Sequence, residues 1–168
     1  MKLIDPDTIE FAEDFFFRLS IEQLAERHKE FWERQPFLEL FFRGVKTGLK
    51  NEFQLEVLWK FVLMTDYCFK SFYGTIPLIS KQKISDKLAW IVNDIKKNPE
   101  PSGNTNYPKE IARAGQVPML EFIEAKCESM ILEFNNFPEP DACIVFNAII
   151  TMTWLYQEEV KKMVPDVN

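Results

Sequence analysis

A lone imidazole, His28, and three thiols, Cys68, Cys127 and Cys143, are the side chains here most suited to catalysis or metal binding. By type alone they make a complete zinc ligand set. Structural zinc sites, however, preorganise ligands roughly two to four residues apart. No two of these four lie that close, and all three cysteines fall on apolar faces of the pattern. A Cys–His nucleophile pair needs only one of each, so that reading depends on whether the fold brings a thiol to His28. A single histidine removes the paired Glu-x-x-His of di-iron bundles and the His-Glu-x-x-His of zinc proteases. Gly-x-x-x-x-Gly-Lys, Gly-x-Gly-x-x-Gly and Gly-x-Ser-x-Gly are also absent, which excludes phosphate-loop, dinucleotide and serine-hydrolase chemistry in their usual forms. No cofactor, metal or catalytic residue is expected.

A second polar constellation lies near the C-terminal end. Asn147, Thr151, Trp154 and Glu158 recur at helical spacing along one face of an otherwise apolar stretch. Ligand pockets combine an apolar lining with a few convergent polar groups, and this stripe would supply one wall, with His28 as an added member. The simpler reading makes the stripe an edge that meets water or a neighbouring helix. His28, between Leu24 and Phe31, then becomes a core-facing imidazole satisfied by one hydrogen bond.

The elements that position these groups read as helices throughout. Gly occurs 5 times in 168 residues, where average usage would give about 12, so few tight turns and few hairpins are expected. Pro and Gly fall between periodic segments rather than within them. Asp5 and Pro6 open a first helix with Ile9, Ala12, Phe15, Phe16 and Leu19 inward. Ser20 and Gln23 form a capping box for a second, with Ile21, Leu24, Ala25, His28, Phe31 and Trp32 inward. Pro36 begins a short third, stopped near Gly48. Asn51 caps a long fourth to Gly74, and Pro77 or Ser80 leads into a fifth to about Lys97, with Leu88, Ile91, Val92 and Ile95 inward. The segment 98–108, rich in Pro, Asn, Ser and Gly, reads as a long exposed loop. A short helix over 109–114 is expected, then one from Pro118 and a last one from Asp141 that is apolar all round to Tyr156. Pro36-Phe-Leu-Glu-Leu-Phe resembles Pro118-Met-Leu-Glu-Phe-Ile, but the register is not sustained as a repeat requires. The expectation is an all-α, single-domain bundle over 1–168, with six or seven helices and central helices near 51–73 and 141–163.

The net charge of −6 is unevenly spread. Residues 1–43 carry 6 basic and 10 acidic groups, residues 44–116 carry 11 and 7, and residues 117–168 carry 3 and 9. The fifth helix holds Lys81, Lys83, Lys87, Lys96 and Lys97, but without arginine and with Trp90 as its one aromatic it does not suit nucleic acid. The longest apolar stretches are broken by charge or too short to span a bilayer, so no membrane contact is expected. An odd cysteine count without a secretory signal points to a reducing compartment, with the cytoplasm as the expected location.

On the fourth helix, Trp59, Leu63 and Tyr67 share a side with Glu52, Glu56, Lys60, Asp66 and Lys70. If that side faces water, the three form an exposed apolar strip and mark an interaction surface. The leading functional expectation is therefore a protein-interaction domain, acting as an adaptor, inhibitor or immunity-type factor, with a protein partner or a second copy. The alternative is a ligand-binding or enzymatic bundle whose pocket is lined by the last helix. An enclosed pocket bearing His28, Asn147, Thr151, Trp154 and Glu158 would favour the second, and a filled core the first.

Overall fold

The computed structural model describes residues 2–97 and 114–163 and is all-helical, with seven helices and no strand among the described residues. They are α1 (Pro6–Phe17), α2 (Ile21–Arg34), α3 (Pro36–Lys46), α4 (Glu52–Tyr73), α5 (Lys81–Lys97), α6 (Val117–Glu133) and α7 (Glu139–Met163). Segment 98–108 and most of the expected 109–114 helix lie outside the described residues.

The helix starts follow local chemistry. Asp5 accepts from the Thr8 backbone N–H at 2.9 Å, and Ser20 and Gln23 close their capping box. Asn51 accepts from Gln54 N–H at 2.9 Å, and proline sits in the first turn of α1, α3 and α6. α4 ends where Gly74 takes φ +82°, a backbone region costly to a residue with a Cβ. Gly115 also needs its missing side chain. Its φ is +88°, and a Cβ there would stand 3.2 Å from Gln157 Cγ.

Two helices organise the core. α4 packs on α1, α2 and α7, while α7 packs on α3, α4, α5 and α6. Phenylalanine, present 16 times, fills much of the space between them. Phe42 lies edge-on to Trp59 at 5.9 Å, Phe17 to Phe61 at 5.2 Å, and Phe69 to Tyr156 at 5.3 Å. The all-round apolar character of α4 and α7 thus has a plain cause: other helices cover most of each.

Wheel positions mislead where a long polar side chain or another helix covers the surface. Ile21 is 71% exposed, Trp32 carries Arg43 over its ring at 4.9 Å, and Phe15 also reaches solvent. On α5 the inward side is Ile84, whereas Leu88 and Val92 are exposed. The largest correction concerns the strip on α4. Trp59 is 9% and Leu63 3% exposed, so no apolar strip made by all three residues faces water. The charges beside them are drawn in by partners instead. Lys60 pairs with Glu56 at 2.6 Å and donates to Phe17 C=O at 3.3 Å. Asp66 meets Arg34 of α2. Leu63→Glu would bury a charge and report on folding, not on self-association.

Among the buried glutamines, Gln35, Gln54 and Gln116 join segments distant in sequence. Gln35, before α3, donates to Pro77 C=O at 2.9 Å and accepts from Ile79 N–H at 3.0 Å, fixing the α4–α5 connection. Gln54 accepts from Lys50 N–H at 2.6 Å and donates to Asn136 C=O and Asp141 Oδ2 at 2.8 and 2.7 Å. Gln116, before α6, accepts from Ile4 N–H at 3.0 Å and donates to the Tyr73 hydroxyl and Gln157 Oε1, both at 2.9 Å.

Candidate docking groove

The polar stripe of α7 is engaged by α5. Lys87 pairs with Glu158 and lies 3.7 Å above the Trp154 ring, which in turn stands edge-on to Trp90 at 4.9 Å. Thr151 is buried and donates to the Asn147 carbonyl at 2.9 Å, while the Asn147 side chain is exposed. His28 sits elsewhere, between α2, α3 and α4. None of these five residues lines either of the two clefts described below.

His28 is half-buried, its ring 3.8 Å from that of Trp59 and its Nε2 3.8 Å from Glu39 Oε1. Glu39 is 1% exposed and is held by Arg43 Nε through the same Oε1. His28 Nε2 and Glu39 Oε2 have no hydrogen-bond partner, so the expected single bond to the imidazole is not made through Nε2. Burial lowers the His28 pKa from its ordinary 6.5, Glu39 works against that, and Arg43 adds to it. A base that is harder to charge when folded leaves stability intact above pH 6.5 and removes it as pH falls through the folded value. In chemical denaturation between pH 7.5 and 5.5, the wild type should therefore lose stability that His28→Gln does not lose. Parallel pH profiles would show that burial at His28 carries no such linkage.

Two of the thiols, Cys68 and Cys127, are poor nucleophiles. Burial pushes Cys68 up to about 12, aided by Asp5. Burial likewise pushes Cys127 up to about 12, aided by Cys143, Glu124 and Glu128. Both are protonated at neutral pH. No hydrogen bond joins a cysteine to His28 among the described residues. No group of three or more His, Cys, Asp or Glu side chains there is placed to hold a metal ion.

Among the described residues, two of the surface clefts lie near the residues named above or expose an apolar floor. The smaller, about 130 Å³, lies between α1, α2 and α4 and takes Leu63 and Tyr67 into its lining. Beside it Phe11, Phe15 and Tyr67 form an aromatic patch, with Phe11–Phe15 centroids at 6.3 Å and Phe11–Tyr67 at 6.1 Å. Of the three α4 residues expected at a surface, Tyr67 alone is more than marginally exposed. Most charges around this cleft are already paired, Arg27 with Glu30 at 3.1 Å and Arg34 with Asp66 at 2.7 Å.

The larger, about 360 Å³, runs between α6 and α7. Its floor is Cys127, Ile131, Ala142, Cys143 and Phe146, and its rim is Glu124, Glu128, Leu132 and Glu139. Leu132 is 89% exposed, and Phe134 extends the apolar surface past the end of α6. The spacing produces this directly. Residues 124, 128 and 131 share a face of α6 one turn apart, so acidic side chains border an apolar row. The described residues give none of the three rim carboxylates an ion pair; Lys126, the one lysine of α6, turns to Glu13 of α1 at 2.8 Å. Burial raises the Glu124 pKa, and Glu128 and Glu121 raise it further. The helical spacing of α6 turns Cys127 and Ile131 to its apolar side and Glu124 and Glu128 to its polar side. The groove is not legible from that spacing, because its opening depends on how far α6 and α7 part.

Compared with known proteins, the chain matches no family model, no curated protein and no solved structure. Its class is an all-helical bundle. No helix among the described residues is long and apolar enough to cross a membrane.

Proposed function

We propose that this is a protein-interaction domain, working as an adaptor, inhibitor or immunity-type factor would, and that the α6–α7 groove receives a helix of a partner protein. The observation that supports this reading is the groove itself, apolar on its floor and open to solvent, with Leu132 almost fully exposed beside it. Exposed apolar surface of this kind is costly to leave in water, and covering a leucine contributes about 1.5–3 kcal/mol. A groove between two helices also matches the shape of an amphipathic helix, which docks through side chains at i, i+4 and i+7. The elements of an enzymatic reading lie apart: the α7 stripe is spent on α5, and two of the three thiols are buried and protonated.

The test is selection from a library of amphipathic helices with varied apolar positions and neutral flanks. Selected peptides should bind the full chain and lose at least tenfold affinity to Leu132→Asp, a change at an exposed position that the fold tolerates. Ile21→Asp, equally surface-directed but on α2, should leave them unaffected. Failure to select any binder, or binders indifferent to Leu132→Asp, overturns the proposal.

A further inference from the structure

Resting on the docking reading above, the groove's charge assigns the chemistry of its occupant: we propose that the partner helix carries lysine or arginine on the flanks of its apolar stripe. Glu124 and Glu128 stand one turn apart on α6, and Glu139 opens α7 across the floor. All three border apolar surface and none has a basic partner among the described residues. The lysines of the described residues 114–163 are engaged or remote. Lys126 is held by Glu13, and Lys161 and Lys162 lie at the far end of α7, about 22 Å along the helix from Phe146. Burial beside the apolar floor raises the Glu124 pKa, repulsion from Glu128 and Glu121 adds to it, and a docked cation offsets both.

The dimensions set the partner's pattern. From Glu124 to Leu132 is eight steps along α6, about 12 Å, or roughly two helical turns. An occupant laid along it presents apolar anchors at i, i+4 and i+7, with basic residues on either side to meet the two rims. An acidic or phosphate-bearing partner meets like charge here and is rejected, so the rim supplies specificity as well as attraction.

The experiment takes the apolar stripe of the best neutral peptide selected as above and makes two versions, with lysine or with glutamate on the flanks. Each is measured against the full chain by fluorescence anisotropy at low and at high salt. The lysine version should bind at least tenfold more tightly than its glutamate twin, and the gap should shrink in salt. In E124Q/E128Q/E139Q the gap should close while the neutral peptide binds as before. Equal binding of both versions, or a gap that survives the triple substitution, overturns the charge assignment and leaves the docking reading standing. A stripe that selects no binder has already overturned the docking reading itself.

Discussion

Asp66→Ala should lower the unfolding free energy by about 3–5 kcal/mol, a large share of the roughly 5–15 kcal/mol typical of a domain. Asp66 is 4% exposed and joins three helices. It accepts from Arg34 Nη2 at 2.7 Å and Nη1 at 3.3 Å at the end of α2, and from the Tyr156 hydroxyl at 2.8 Å on α7. Burial pushes the Tyr156 pKa well up, with Asp66 adding to it, so that phenol stays protonated and donates. Removing the carboxylate strands a guanidinium and a hydroxyl, and the penalty is their desolvation more than the lost attraction. Replacing the set by apolar groups, Arg34→Met with Asp66→Leu and Tyr156→Phe, should therefore recover most of the loss. Urea unfolding of the single and triple variants decides it: a single-variant loss below 1 kcal/mol would show that the guanidinium and the hydroxyl are resolvated in place.

Gln54→Leu is the second large effect, at about 3 kcal/mol from three simultaneous losses. The side chain accepts from Lys50 N–H and donates to Asn136 C=O and Asp141 Oδ2. Asp141 is buried, and its other partner, Lys50 Nζ, lies 3.9 Å away on a well-exposed side chain. Without the amide, a buried carboxylate keeps only that distant partner. Gln54→Leu combined with Asp141→Leu should be less damaging than the sum of the two single changes, because the stranded charge is gone. Additive losses in thermal or chemical unfolding would mean the two side chains do not act on each other.

Local signals in the sequence carried far into the structure. Asp5, Ser20 with Gln23, and Asn51 are caps because their side chains reach N–H groups three residues on, an interaction wholly contained in a short string. The apolar residues on nearly every side of α4, and on every side of α7 as far as Tyr156, likewise point to the centre without any long-range information. What the string does not hold is the identity of a residue's distant neighbour. Trp59 and Leu63 read as surface because Lys60 and Asp66 stand beside them, yet Phe17 and Arg34 come from other helices to meet those charges. His28 was legible as inward-leaning, but not its position against a carboxylate that no hydrogen bond joins to its Nε2. The groove was legible in parts, as an acidic flank and an apolar row, and its opening was not.

Gln35, Gln54 and Gln116 bear on motion. Connections between helices and the chain's first residues are ordinarily where a fold opens first, at little energetic cost. Here the amides of Ile4, Lys50 and Ile79 lie outside any helix but donate to glutamine oxygens seated against the core. Freeing any of them exposes a glutamine whose amide group is committed elsewhere, to Gln157, to Asp141 or to the Pro77 carbonyl. Hydrogen exchange at Ile4 and Lys50 should thereby follow the opening of α4 and α7, and that at Ile79 the release of Gln35 from its seat before α3, so that these joints exchange with the core instead of acting as hinges.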